Sequence, residues 1–227
     1  MTWVKICGTT SLEDALLAAE AGADAVGFVF AASPRRVTAE QVREIVKELP
    51  ERVEKVGVFV NETAERIREI VKGAGLTAVQ LSGEEPESLL AEINAMHTTH
   101  GHKPKLYRVI HLPEKFESAL NIGFSWPDGD ARPDALMLDC CKGAMRGGTG
   151  QKFDWQASVP LVEAMQCVLP VIVAGGLRPE NVGEAIRLLG PYGVDVVSGV
   201  ESSPGKKDAG RVRGFISAAH GSATGNP

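Results

Sequence analysis

"VIVAGGLRPENVGEAIRLLGPYGVDVVSGVE", residues 171–201, is the stretch from which the fold is read. A short Val/Ile run, VIVAGG, ends in paired glycines. RPENVGEAIRLLG follows, with apolar residues at helical spacing, and closes on Gly190. A second β-branched run, VDVVSGVE, comes next. Period two giving way to period 3.6 and back again predicts a strand, a crossover helix and a second strand. The two strands must be parallel, because a crossover rather than a tight hairpin joins them.

The alternation runs outward from this unit to both ends. Strand-like segments are WVKICG, AVGFVF, KVGVFV, AVQLSG, KLYRVIHL and ALMLDC, then the two above. Helical spacing marks SLEDALLAAEAG, TAEQVREIVKELP, TAERIREIVKGAG, PESLLAEINAM, EKFESALN, WQASVPLVEAM, RPENVGEAIRLLG and AGRVRGFISAAHG. Ser11 and Thr38 stand at N-cap positions with acid in the first turn after them. Gly22, Gly75 and Gly190 fall where left-handed C-caps are expected. Alternation on this scale in 227 residues predicts an α/β protein, a single (β/α)8 TIM barrel over residues 1–227. An open doubly wound sheet is the alternative. No G-x-G-x-x-G follows the first strand, which favours the barrel.

Composition narrows the function. Net charge is −5, and no basic stretch interleaved with aromatics occurs, which argues against a nucleic-acid partner. No apolar run reaches membrane-spanning length, so no membrane partner is expected. No signal-peptide pattern opens the chain. Cys7, Cys140, Cys141 and Cys167 make no C-x-x-C pair, so zinc spacing is absent and free thiols in a reducing cytoplasm are expected. His97, His100 and His102 fall in a polar segment read as surface loop rather than as a metal site. A small-molecule substrate is the expected partner, for a monomer or a homodimer.

Barrel active sites lie at the C-terminal ends of the strands, so the reactive side chains that end a strand come first. Cys7 ends strand one and Asp139 ends strand six. Alternation turns Val4, Ile6, Leu136 and Leu138 outward to the helices, and Lys5, Cys7, Met137 and Asp139 inward. A thiol and a carboxyl on inward faces at one mouth suit acid–base chemistry. Lys5, on the same face, either favours the Cys7 thiolate or is a structural charge lower in the barrel. AGG after strand seven and SGV after strand eight let backbone N–H groups approach a ligand, as phosphate sites on barrels require. SPGKKD, residues 203–208, is read as a candidate for the short extra helix of such a site. Arginine in SPRR, residues 33–36, is suited to grip a carboxylate. The glycine-rich segment 141–151 reads as a loop that closes over substrate.

An ordered set of motifs then coincides: KICGTTSLEDA, GADAVGFVF, SPRRVT, VGVFVNE, AVQLSGEEP, LMLDCCKGAMRGGTGQKFDW, AGGLRPENV and VDVVSGVESSPGKKD. Over nearly its whole length the chain resembles the phosphoribosylanthranilate isomerase family. The resemblance implies a (β/α)8 barrel of tryptophan biosynthesis. It implies an Amadori rearrangement of N-(5-phosphoribosyl)anthranilate to 1-(2-carboxyphenylamino)-1-deoxyribulose 5-phosphate, with no cofactor and no metal. It implies Cys7 as general base, Asp139 as general acid, Arg35 on the anthranilate carboxylate and Asp195 on the sugar. Phosphate is assigned to the backbone around Gly175, Gly176, Ser198 and Gly199. One departure is visible: the family usually reads Q-L-H-G in strand four, where this chain has Gln80-Leu81-Ser82-Gly83. The protonated form of Asp139 is needed, so surroundings that raise its pKa are expected.

Three rival readings remain. A related isomerase of histidine biosynthesis runs the same rearrangement with two aspartates, against which Cys7 argues. A barrel synthase that closes an indole ring would need a catalytic lysine, and Lys5 does not exclude it. A barrel that only binds a sugar phosphate would have no use for Cys7, Asp139 and Arg35 together.

Overall fold

A computed structural model describes residues 1–113, 129–142, 145–146 and 154–222. Its strands are β1 (Trp3–Ile6), β2 (Ala25–Val29), β3 (Glu54–Phe59), β4 (Ala78–Leu81), β5 (Lys105–Pro113), β6 (Ala135–Lys142), β7 (Val171–Val173) and β8 (Gly193–Val196). Each pairs in parallel with its sequence neighbours, β8 returns to β1, and the ring closes. The described helices are α1 (Leu12–Ala21), α2 (Ala39–Glu48), α3 (Ala64–Ala74), α4 (Glu87–Asn94), α5 (Trp155–Gln166), α6 (Val182–Leu189) and α7 (Ala209–Ser222). The helix expected at EKFESALN lies outside the described residues, as does most of segment 141–151.

Local chemistry sets the boundaries. Ser11 and Thr38 cap α1 and α2, and Thr38 exchanges hydrogen bonds with Gln41 in a capping box. Gly22, Gly75 and Gly190 end α1, α3 and α6 with φ of 101, 72 and 54°, the left-handed region glycine enters without a Cβ clash. Alternation along the strands then separates two cores. Val4, Ile6, Val26, Phe28, Leu136 and Leu138 face outward and pack under the helices. Trp3, Ala25, Val56, Ala78, Tyr107, Val109 and Met137 face inward and fill the lower barrel. Tyr107 edges onto Trp3, ring centres 5.8 Å apart, and its hydroxyl donates to Glu54. The inner plug rises only partway, so the next inward residues, two positions further along β4, β5 and β6, lie toward the mouth.

Two expectations need correction. Asp139 does not end β6: the strand runs on to Lys142, where Cys141 and Lys142 pair antiparallel with Arg146 and Met145. SPGKKD is not a helix. Glu201–Ser203 and Lys206–Lys207 pair as two short antiparallel strands, β9 and β10, around a turn in which Gly205 has φ of 83°. Pro204-Gly205 is a turn signal, and it outweighs the lysines that follow.

Candidate active site

Cys7 is the first residue beyond β1, and its N–H donates to the Val196 carbonyl at 2.9 Å. Its thiol is buried beside β2, at Gly27. A Cβ built on Gly27 would lie 2.5 Å from Cys7 Sγ and 3.0 Å from Lys5 Cε, so the absent side chain is the room the thiol occupies. Lys5 is fully buried, and its Nζ donates to Asp195 Oδ1 at 2.8 Å. Lys5 therefore pairs with Asp195 and lies against Cys7. Burial pushes the Cys7 thiol above its ordinary value, and the Lys5 ammonium opposes that rise. Burial pulls Lys5 down, but Asp195 and Cys7 together outweigh it and hold the ammonium above its ordinary value.

Asp139 reaches the same mouth from β6. Burial, then the negative charge of Asp195, raises its carboxyl to about 7. It shares a small cavity of about 30 Å³ with Asp195, Gly175, Gly176, Ser198 and Gly199. The structure thus brings together the acid candidate, the sugar-contact candidate and the expected phosphate residues.

The last two loops touch backbone to backbone. Gly175 and Gly176 have φ of 81 and 65°. A Cβ on Gly199 would fall 1.9 Å from the Leu177 carbonyl oxygen, an approach only glycine permits. Ser198–Val200 form a single 3₁₀ turn. This turn, not SPGKKD, supplies the short helix, and its leading N–H groups have no intrahelical acceptor. Asn181 fixes the β7 loop: its Nδ2 donates to the Gly176 carbonyl at 3.1 Å and its Oδ1 accepts from Arg178 N–H at 2.8 Å. A depression of about 450 Å³ opens beside these loops, bordered by Arg178, Ser198, Gly199 and Arg211.

Arg35 lies near the mouth, but the carboxylate it holds is an internal one. Its Nε and Nη2 donate to Glu201 Oε1 and Oε2 at 2.8 and 2.6 Å. Lys207 Nζ joins the same Glu201 at 3.1 Å and donates to the Cys7 carbonyl at 2.5 Å. Hydrogen bonding to Glu201 raises Arg35 further. Burial pushes Glu201 up, but Arg35 and Lys207 outweigh it and hold the carboxyl below its usual value. This side-on grip orients the guanidinium and leaves its Nη1–Nη2 edge for a second carboxylate. Glu201 and Lys207 were not among the expected site residues. Their sequence signal was their place in VDVVSGVESSPGKKD, as opposite charges flanking a Pro-Gly turn.

A polar group also lines β4 and β5. Gln80 Nε2 donates to Ser82 Oγ at 3.1 Å, and His111 Nε2 lies 2.9 Å from the Ser82 carbonyl oxygen. His97, His100 and His102 are exposed, as expected of a surface loop. Among the described residues, no group of His, Cys, Asp and Glu is arranged to hold a metal ion.

A closed parallel barrel with a buried thiol and a carboxyl raised to about 7 beside a glycine-lined cavity defines the class: a (β/α)8 barrel with groups suited to acid–base chemistry at one mouth. The model of the N-(5'-phosphoribosyl)anthranilate isomerase family matches residues 4–218, and the chain belongs to that family. It is 43% identical over 217 residues to the N-(5'-phosphoribosyl)anthranilate isomerase of Pelobacter propionicus, covering 95% of this chain and 94% of that one. The enzyme of that name from Geobacter sulfurreducens is 43% identical over 222 residues, covering 97% and 100%. Among solved structures, phosphoribosylanthranilate isomerase from Thermotoga maritima superposes with a TM-score of 0.79 at 38% identity, covering 97% of this chain and 100% of that one. A phosphoribosylanthranilate isomerase in complex with reduced 1-(o-carboxyphenylamino)-1-deoxyribulose 5-phosphate gives 0.76 at 37%, with the same coverage.

Proposed function

We propose that this chain converts N-(5-phosphoribosyl)anthranilate to 1-(2-carboxyphenylamino)-1-deoxyribulose 5-phosphate in tryptophan biosynthesis, with Asp139 as general acid and Cys7 as general base. The observation that carries the reading is the half-buried Asp139, its carboxyl raised to about 7, at the same mouth as the buried Cys7 thiol beside Lys5. Protonated Asp139 gives its proton to the furanose ring oxygen, the C1–O bond breaks, and nitrogen's lone pair forms the Schiff base. Cys7 as thiolate removes the C2 proton, and the C–H electrons form the C1=C2 bond of an enolamine. The enolamine then loses its hydroxyl proton and gains one at C1, giving the ketone. Each such proton-transfer group is worth about 10²–10⁴ in rate.

The other residues hold the substrate in this reading. The phosphate sits on the N–H groups around Gly176, Ser198 and Gly199, the anthranilate carboxylate on the open edge of Arg35, and a sugar hydroxyl on Asp195. The test is purified protein with N-(5-phosphoribosyl)anthranilate, followed by anthranilate fluorescence, and in parallel with the phosphoribosyl aminoaldose of histidine biosynthesis. Conversion of the first is expected. Failure to convert it, with turnover of the second alone, would overturn the assignment.

A further inference from the structure

Four strands away from β8 around the ring, the mouth carries a polar cluster that the proposed mechanism does not use. Gln80 lies on the inward file of β4 above Ala78, and His111 on the inward file of β5 above Tyr107 and Val109. Both are tied to Ser82. The Ser82 carbonyl can only accept, so His111 Nε2 carries the hydrogen of that 2.9 Å contact. In that tautomer Nδ1 is the ring's acceptor. Gln80, which is 94% buried, spends its amide N–H on the Ser82 hydroxyl. Gln80 Oε1 and His111 Nδ1 are both buried, and neither has a partner among the described residues.

Two orphaned acceptors on neighbouring inward files are unusual, since buried polar atoms nearly always find a partner. Their position is specific: His111 is the register partner of Asp139 across the β5–β6 ladder. A substrate anchored by phosphate at β7–β8 and reaching Asp139 therefore extends toward them. We propose that Gln80 and His111 form an acceptor-only subsite of this mouth, which takes hydrogen-bond donors of the substrate, its sugar hydroxyls and its anilino N–H. The proposal rests on the isomerase reading and adds the residues that select a hydroxylated aminosugar over a bare phosphate.

The test is binding without turnover. N-(5-phosphoribosyl)anthranilate is titrated by its fluorescence into Cys7→Ser, alone and combined with His111→Phe, Gln80→Met or His111→Asn. Inorganic phosphate is the control probe. His111→Phe and Gln80→Met should each weaken substrate binding about tenfold, the loss of one buried hydrogen bond, with phosphate affinity within about twofold. His111→Asn offers an amide oxygen near the place of Nδ1 and should recover most of the affinity. Substrate affinity unchanged in both His111→Phe and Gln80→Met would show that these acceptors are met otherwise, and would overturn this proposal alone. Parallel loss of phosphate affinity, with no recovery in His111→Asn, would mark distortion of the mouth and overturn it as well. Absence of any substrate binding by Cys7→Ser itself would overturn the isomerase reading, and this subsite with it.

Discussion

Changing pH across the two proposed catalytic groups should give an inverted assignment of the rate profile. Asp139 is raised to about 7, while the buried Cys7 lies above the ordinary thiol value of 9.0. The competent free enzyme needs the first protonated and the second ionised. Below pH 7 Asp139 is protonated and the thiolate fraction grows tenfold per unit, so kcat/KM rises with pH. Between about 7 and the Cys7 value the thiolate gained is cancelled by the acid lost, and the profile is flat. Above the Cys7 value only the acid loss remains, and the rate falls. With at least about two units between the groups, on the order of one molecule in a hundred or fewer is competent on the plateau. The limb near pH 7 belongs to Asp139 although Asp139 is the proposed acid. The assay is kcat/KM from pH 5 to 10 by anthranilate fluorescence, for the wild type and for Asp195→Asn. The substitution removes the charge that helps raise Asp139, so the acidic limb should move below 7 even as the rate falls. A rate that drops tenfold per unit directly above pH 7, or a limb that stays at 7 in Asp195→Asn, would refute the reasoning.

Further outcomes follow from the packing. Gly27→Ala puts a Cβ 2.5 Å from Cys7 Sγ, and kcat should fall at least about tenfold as the thiol is displaced; unchanged steady-state kinetics would show that the thiol is free to move. Gly199→Ala drives a Cβ into the Leu177 carbonyl, backbone against backbone. Inhibition by inorganic phosphate should weaken at least about tenfold, and an unaltered inhibition constant would move the phosphate site elsewhere. Arg35→Ala removes the carboxylate grip and should raise KM more than it lowers kcat; a fall confined to kcat would assign Arg35 to the chemistry instead.

The barrel and the inward placement of Cys7, Lys5 and Asp139 were legible because strand period is local. A side chain two positions from another shares its face whatever the rest of the chain does. The glycines of the last two loops were legible for the same reason, since each ends a strand at the functional face. What was not legible depends on pairs far apart in sequence. Glu201 meets Arg35 across 166 residues, and Lys207 meets the Cys7 carbonyl across 200. Gly27 looks like any strand glycine until β1 is laid beside β2. His111 matches no spacing motif, because its partner Ser82 is on the neighbouring strand, 29 residues away. The Ser82 departure reads differently in the fold: its hydroxyl accepts a hydrogen bond from the Gln80 amide on β4.

The central claim, that Cys7 is the base, is tested most directly by the steady-state kinetics of Cys7→Ser with N-(5-phosphoribosyl)anthranilate. Serine keeps the size of the side chain and fits the space Gly27 leaves, but its hydroxyl is hardly ionised at neutral pH. The expected result is kcat lower by at least about a hundredfold with KM within several-fold, because the thiol is assigned to neither phosphate nor carboxylate. Near-normal turnover by Cys7→Ser would contradict it and place the base on another residue of the mouth.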